Sequence, residues 1–466
     1  MGSSGEAMVE AEQGLFSAFK LSSGAVLRNR IVKAAMEEGL GAAGQLPGEE
    51  LTALYRRWGQ GGSAVLITGN VMVHAEAMTG PDDVVLDRQQ PLEPFVSWAE
   101  AAKAGGAAVW MQISHPGRQV QGDMPGVAWA PSEVAMDLGK LSSRFRTPAA
   151  MTAAQIEVTI ERFRDTAQLA EQAGFDGVEI HAAHGYLISQ FLSPLVNHRE
   201  DEWGGSLENR ARLLLRIVTE IRAVVQPTFT VAVKLNSADF QRGGFDAGDA
   251  QQVIELLTPL GVDLVEISGG SYESPAMSGF PADSETSGGK ATATAATADS
   301  ANSSVKNSAA NNGAASSSDP GGKRRASTVA REAYFLELAT ELALTSEIPL
   351  MLTGGISRRE TADRVLAGGV PLVGIATALA LNPELPRSWE AGRPAERKLN
   401  PVQWSNQPLA SAAWLAMVRR QMARIARGQE PSAGLRPVPT LVGELIHHLR
   451  AVRRYRSWLE ARTSAD

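Results

Sequence analysis

The strongest constraint on the fold is the alternation of eight short apolar segments with longer amphipathic ones. The apolar segments are rich in Val, Ile and Leu without clean polar alternation, as in parallel strands buried on both faces. They cover residues 31–35, 64–68, 108–113, 177–181, 230–235, 263–267, 349–353 and 372–376. Eight such strands alternating with helices predict an α/β fold, a (β/α)8 barrel. An open doubly wound sheet is the alternative, but no G-x-G-x-x-G follows the first segment.

Helices are predicted between the strands and after the last one. Residues 154–173 have helical spacing of apolar residues and end before Gly174, while residues 207–225 follow Ser206, a typical N-cap. Residues 411–426 and 441–461 are predicted to form two terminal helices. We expect these helices to pack on the exterior of the barrel, with an oligomer contact as the alternative.

The chain is therefore divided into a barrel over residues 10–395 and a C-terminal helical extension over residues 396–466. A low-complexity insertion at residues 284–327 interrupts the barrel after its sixth strand. Ser, Ala, Gly, Thr, Asn and Asp dominate this insertion, so it cannot bury enough apolar surface to offset its ordering entropy. We expect it to be disordered, with a role as a lid as the alternative.

Composition and charge exclude several classes of function. The formal net charge of −7 argues against nucleic acid or an anionic membrane as a partner. The absence of cysteine excludes disulfides, thiolate nucleophiles and Cys-ligated metal centres. No apolar run approaches the roughly 20 residues of a membrane span, and no signal pattern is seen, so a cytoplasmic location is expected. The basic C-terminal region is predicted to be a solvated helix face; its arginines are Arg419, Arg420, Arg424, Arg427, Arg450, Arg453, Arg454 and Arg456.

Polar and glycine residues gather at the carboxyl ends of the predicted strands, the end at which barrels of this class carry out chemistry. In strand order the residues at these ends are Met36, Glu37 and Glu38, then Gly69 and Asn70, then Gln112 followed by 114–118, then His181 and His184, then 234–236, then 268–270, then Gly354 and Gly355, and finally Ala376 and Thr377. The loops after the seventh and eighth strands suit the phosphate of a ligand, since glycine lets the backbone approach closely. An amide and a cation, Gln112 and Lys234, would then face the ring of that ligand.

The segment after the fourth strand carries His181, His184 and Tyr186 within six residues. Two imidazoles and a phenol can hold a substrate oxygen and deliver a proton beside it. The spacing of the two histidines also allows a metal site, but no third ligand is evident. An ordinary structural role is the remaining alternative.

The chain resembles the old yellow enzyme family of FMN-dependent ene-reductases. The resemblance is carried by H-A-A-H-G-Y-L at 181–187, Q-F-L-S-P at 190–194 and D-E-W-G-G-S-L-E-N-R at 201–210. It implies a (β/α)8 barrel with non-covalent FMN at its C-terminal mouth and NADPH or NADH as the electron donor. In this family the hydride reaches the β-carbon of an activated alkene by way of the flavin.

The resemblance also assigns catalytic roles. His181 and His184 would hold the carbonyl or nitro oxygen of the substrate, and Tyr186 would give the proton to its α-carbon. No metal is implied.

The resemblance further implies a set of flavin contacts. Gln112 would contact the pyrimidine ring, Lys234 the N1 and C2 carbonyl side, and the backbone of Ala35, Met36 and Gly69 the ring system; Gly355, Ala376 and Thr377 would hold the phosphate. Glu37 stands where relatives have Thr or Cys in contact with the flavin, Thr377 where many have Arg, and Lys234 where Arg is common. An ionised Glu37 would oppose the charge of the reduced flavin, whereas a protonated one could donate a hydrogen bond.

The expected function is the NAD(P)H-driven reduction of activated C=C bonds in α,β-unsaturated carbonyls, maleimides or nitroalkenes. One alternative is a flavin-dependent dehydrogenase or isomerase of a specialised metabolite. Another is an FMN-binding barrel with poor redox turnover. The expected partners are small molecules, with neither nucleic acid nor membrane, and the chain is expected to be a monomer or a homodimer.

Overall fold

A computed structural model describes residues 14–270, 273 and 336–464, and in it eight parallel strands form a closed barrel. Each lies within two residues of a predicted strand, so the (β/α)8 prediction is confirmed. The strands are β1 Ile31–Lys33, β2 Val65–Ile67, β3 Ala108–Ser114, β4 Gly177–Ala182, β5 Thr230–Asn236, β6 Leu264–Ser268, β7 Leu350–Thr353 and β8 Leu372–Ile375.

The barrel closes because each strand pairs in parallel with its neighbours in chain order, and β8 pairs with β1 through Val373 and Ile31. Alternate residues point inward and outward, as the period of two requires. Val32, Trp110 and Met351 belong to the cluster inside the barrel, and Ile31 packs outside it against the helices. The short antiparallel strands Phe19–Lys20 and Val26–Leu27 contribute Leu27 to the inner cluster.

Helices surround the barrel and agree with the predicted segments. Ser206 caps its helix by accepting from the backbone N–H of Asn209, and Gly174 follows its helix at φ +83°, where glycine is favoured. Residues 336–345 are also helical. The helices are α1 Glu49–Gly59, α2 Glu93–Lys103, α3 Ala153–Gln172, α4 Leu187–Leu192, α5 Leu207–Arg222, α6 Ala247–Leu257, α7 Arg359–Ala367, α8 Thr377–Leu381, α9 Leu385–Glu390, α10 Gln407–Ala426 and α11 Pro437–Thr463.

The two terminal helices pack against each other and contact different elements of the barrel. Helix α10 packs against α1 and α8, while α11 lies along the loops that follow β2 and β3. The Tyr455 hydroxyl of α11 donates to the carbonyl of Ala75 at 2.8 Å, and Arg454 pairs with Asp82 at 2.6 Å. Arg454 pairs its charge across this contact, and its side chain remains 51% exposed on the helix face predicted to be solvated.

The predicted insertion at 284–327 lies outside the described residues. Within the described part of the chain, no helix combines the length and the apolar character that a membrane crossing requires.

Candidate active site

The two histidines and the tyrosine that follow β4 lie together at the carboxyl end of the barrel. The ring centroids of His181 and Tyr186 are 4.6 Å apart, and those of His181 and His184 are 5.0 Å apart, each pair edge to face. His184 adopts φ +59°, a left-handed conformation that turns the chain toward α4. Its backbone N–H donates to the Asn236 side chain at the end of β5, which holds this turn in place.

Both imidazoles are neutral at ordinary pH. Burial lowers the pKa of His184 to about 3 and that of His181 well below its usual value, helped by the nearby charge of Lys234. The Nδ1 of His181 accepts from the backbone N–H of Ala183 at 3.2 Å, so its proton sits on Nε2. The Nε2 of His184 lies 2.9 Å from the Ser268 hydroxyl. Neutral N–H groups in this position suit an uncharged carbonyl or nitro oxygen.

The hydroxyl of Tyr186 donates to a carboxylate that comes from the other side of the barrel mouth. Its acceptor is Oε1 of Glu37, at 2.6 Å. The side-chain amide of Asn70 donates to the same Oε1 at 3.2 Å and lies 3.4 Å from the Tyr186 oxygen. The other oxygen of Glu37 accepts from Arg419 of α10 at 2.9 Å. The C-terminal extension thus places a cation beside the site. Arg419, predicted to lie on a solvated helix face, is 37% exposed and ion-paired with Glu37.

A buried charged cluster lies beside the histidines, on β4 and the neighbouring strands. Lys234, the register partner of His181, donates to Glu266 at 2.5 Å, and Gln112 donates to Glu179 at 2.6 Å. Burial, reinforced by the charge of Glu266, raises the pKa of Glu179 well above its usual value. Lys234 lowers the pKa of Glu266 against the opposing effect of burial. The cluster therefore pairs Lys234 with Glu266 and Gln112 with Glu179.

The backbone at the mouth is packed so tightly at one position that only glycine fits. A Cβ added to Gly69 would lie 2.2 Å from the Met36 carbonyl and 2.1 Å from Oε2 of Glu38. The Gly69 N–H is held by Glu38 Oε1 at 3.2 Å and by the Tyr55 hydroxyl at 3.1 Å. These contacts fix the loop after β2 against the loop after β1.

The ends of β7 and β8 expose backbone instead. Gly354 and Gly355 have φ of +139° and +68°, and a Cβ on Gly354 would meet no atom within 4 Å. Thr377 opens α8 directly after β8, with Ala376 as the preceding cap residue. These loops leave backbone groups accessible at the two strand ends where a phosphate was predicted.

Sequence reasoning missed several residues of this site. Glu179 and Glu266 each stand in a V-E-I triplet inside a strand buried on both faces, and a carboxyl there needs a buried partner. The triplet could therefore have predicted a buried, paired carboxyl in each of these strands. No comparable signal marked Arg419, which is separated from Glu37 by 382 positions.

Within the described residues, no group of three or more His, Cys, Asp or Glu side chains is arranged to hold a metal ion. The histidine pair therefore has no third ligand among them.

Comparison with known proteins finds one matching family and many relatives. The family is described as the NADH:flavin oxidoreductase / NADH oxidase family, and its sequence model matches residues 14–285. An NADH-dependent flavin oxidoreductase of Hypocrea jecorina (strain QM6a) is 33% identical over 386 residues, which cover 79% of this chain and 86% of that protein. An NADPH dehydrogenase of Bacillus pumilus (strain SAFR-032) is 36% identical over 273 residues, which cover 58% of this chain and 77% of that protein.

Solved structures with the same fold include two oxidoreductases. The old yellow enzyme homologue from Zymomonas mobilis superposes with a TM-score of 0.63 at 21% identity, covering 83% of this chain and 95% of that one. Morphinone reductase in complex with tetrahydroNAD gives a TM-score of 0.62 at 21% identity, with 84% and 93% covered. At this identity the likeness concerns the fold alone.

Proposed function

This chain belongs to the NADH:flavin oxidoreductase / NADH oxidase family, and from that premise we propose that it is an FMN-dependent ene-reductase acting on activated C=C bonds. The family binds FMN and uses NADH or NADPH. The observation that carries the proposal is the cluster of His181, His184 and Tyr186, in which two neutral imidazoles lie beside one phenol. Substrates of this class have a carbonyl or nitro oxygen next to the double bond.

The residues at the barrel mouth fit FMN. Gln112 offers an amide that can read the edge of a heterocycle, and Lys234 offers a cation where a reduced ring carries negative charge. The close approach of Gly69 to the Met36 carbonyl brings the backbone at the ends of β1 and β2 together, and we propose that the ring lies against this backbone. The accessible backbone at Gly355, together with Ala376 and Thr377, would hold the phosphate.

Each side chain then has a separate task. When bound, FMN supplies the hydride. His181 and His184 hold the substrate oxygen through N–H groups and stabilise the negative charge that develops there. Tyr186 provides the proton for the α-carbon. Lys234 acts with its charge partly balanced by Glu266, and the Glu37 charge is likewise balanced by Arg419.

We expect the affinity for a saturated ketone, a product analogue, to be constant between about pH 5 and pH 8. The pKa of His184 is about 3 and that of His181 is also strongly lowered, so neither imidazole gains a proton in this range. Titrations followed by the flavin absorbance would measure the dissociation constant. A change centred near pH 6.5 would mean that a histidine titrates at its ordinary pKa, contrary to this account.

Gly69→Ala should reduce the fraction of purified protein that carries FMN. The added methyl group would collide with the Met36 carbonyl, so the backbone of two strand ends must move. Gly443→Ala is the matched control, because a Cβ at Gly443 on α11 meets nothing within 4 Å. The ratio of flavin to protein absorbance gives the occupancy, and equal occupancy in both variants would argue against a flavin surface at Gly69.

A second candidate, a flavin-dependent dehydrogenase or isomerase, is favoured by one observation. The Tyr186 hydroxyl donates to the Glu37 carboxylate, a group that can accept the phenol proton and so let the phenol oxygen act as a base toward a substrate. Turnover of a saturated substrate, or rearrangement of an alkene without net consumption of NAD(P)H, would support this candidate over the reductase.

The domain division is also proposed: a catalytic barrel over 10–395 and a helical extension over 396–466. Helices α10 and α11 contribute to the barrel mouth through Arg419 and through the pairing of Arg454 with Asp82.

A further inference from the structure

A phenol has one proton, and in this structure Tyr186 gives it to Glu37. Oε1 of Glu37, 2.6 Å from the phenol oxygen, is therefore the atom through which a proton can leave or reach the Tyr186 hydroxyl. When Tyr186 gives its proton to the α-carbon of a substrate, the Glu37 carboxyl is the neighbour placed to replace it.

Glu37 is also the more exposed member of the pair. The Tyr186 residue is 3% exposed, whereas the Glu37 side chain is 26% exposed. Glu37 lines a cavity of about 110 Å³, enough for several water molecules. Protons from solvent can thus reach Glu37 more readily than they can reach Tyr186.

The other walls of this cavity carry ionisable groups that can pass protons. Burial, with the charge of Glu37, raises the pKa of Asp83 well above its usual value, and a hydrogen bond to Asp82 raises that of His447. The remaining charged or titratable lining residues are Arg419, Glu444 and His448. Most of these groups come from α11 and from the loop before α2, so the cavity lies between the extension and the barrel.

From this arrangement we propose that Glu37 is a proton-relay residue that returns a proton to Tyr186, and that Arg419 of the C-terminal extension positions Glu37. The proposal rests on the proposed function of Tyr186. When the α-carbon is protonated, the O–H bond of Tyr186 breaks and a C–H bond forms. A proton from bulk solvent then passes through the water in the cavity to the Glu37 carboxylate. The phenolate oxygen takes this proton, so the new O–H bond of Glu37 breaks, the O–H bond of Tyr186 re-forms, and Glu37 returns to the carboxylate that Arg419 pairs. In the dehydrogenation direction every proton moves the opposite way.

Arg419 acts through Glu37 and not on the substrate. It donates to Oε2 of Glu37 and, at 3.0 Å, to Glu444 of α11. This fork leaves Oε1 facing Tyr186. A relay of this kind joins the helical extension to the chemistry of the barrel.

The kinetic test compares Glu37→Ala and Glu37→Gln with Glu50→Gln in the FMN-loaded enzyme. Glu50 is a matched control because it also pairs with an arginine of the C-terminal extension, Arg427 directly after α10, but lies away from Tyr186. Removing the relay should slow reoxidation of the reduced enzyme by an alkene about tenfold or more. Reduction by NAD(P)H should change much less.

Added acetate or formate separates a relay from a structural role. A small acid entering the space left in Glu37→Ala should restore a large part of the lost rate. It should not do so in Glu37→Gln, where the space is filled, or in Tyr186→Phe, where the phenol is missing. An alanine variant that reoxidises as fast as the wild type, or one that no acid rescues, would overturn the relay.

A spectroscopic test needs no turnover. The chain has five tyrosines, so Tyr186 can be assigned in ¹³Cζ-tyrosine NMR spectra of the oxidised holoenzyme by its loss in Tyr186→Phe. Its signal should move in Glu37→Gln and stay in place in Glu50→Gln; an unmoved signal in Glu37→Gln would overturn the contact on which the relay depends. If the wild type reduces no alkene but this signal moves, the proposed reaction is wrong while the Glu37–Tyr186 pair stands.

Discussion

Tyr186→Phe should slow reoxidation of the reduced enzyme by an activated alkene about 100- to 1,000-fold. The substitution keeps the ring that packs against His181 at 4.6 Å and removes only the hydroxyl. Hydride transfer to the β-carbon then lacks its proton donor at the α-carbon. Reduction of the enzyme by NAD(P)H requires no proton from this phenol and should stay within about twofold of the wild type.

Stopped-flow measurement of the two half-reactions separates these effects. Tyr455→Phe is the matched control. It also removes a buried tyrosine hydroxyl, one whose hydrogen bond to the Ala75 carbonyl has only a structural role. If Tyr186→Phe slows both half-reactions equally, Tyr186 is not the proton donor.

His181→Ala should lower kcat/KM for an alkene about 100-fold. The variant removes the Nε2–H donor, whose position is fixed by the hydrogen bond that Nδ1 accepts from Ala183. The developing charge on the substrate oxygen would then be held by His184 alone. Because this interaction strengthens as the charge develops, both kcat and the affinity for the alkene should fall.

The control for this variant is His198→Ala, which makes the same change at an exposed position. Steady-state kinetics with a cyclic enone measure both variants. If the kcat/KM of His181→Ala equals that of the wild type, His181 does not hold the substrate oxygen.

The barrel could be predicted because each strand is buried on both faces, and its sequence is therefore a short apolar run. Ile31, Val65 and Leu372 mark runs of this kind, and the strands lie within two residues of them. The ends of helices were also predictable where one residue controls them, as Ser206 and Gly174 do. The terminal helices α10 and α11 were recognised as helices, but their contacts depend on the assembled barrel.

The site was predictable where it is local in sequence. His181, His184 and Tyr186 lie within six residues after one strand, so the strand brings them to the mouth together. The pairing of Glu37 with Arg419 joins the first strand to α10, and its geometry depends on how the extension packs. The sequence around the first strand therefore predicted that Glu37 lies at the barrel mouth, but it could not indicate which groups would balance the charge of Glu37.

The most direct test of the proposed function is the absorbance of the purified FMN-loaded protein under anaerobic conditions. The flavin should bleach when NADH or NADPH is added and recover its yellow colour when an enone, a maleimide or a nitroalkene follows. Recovery should be fast in the wild type and slow in Tyr186→Phe. A reduced flavin that stays bleached with every activated alkene, yet is reoxidised by oxygen, would contradict the assignment as an ene-reductase.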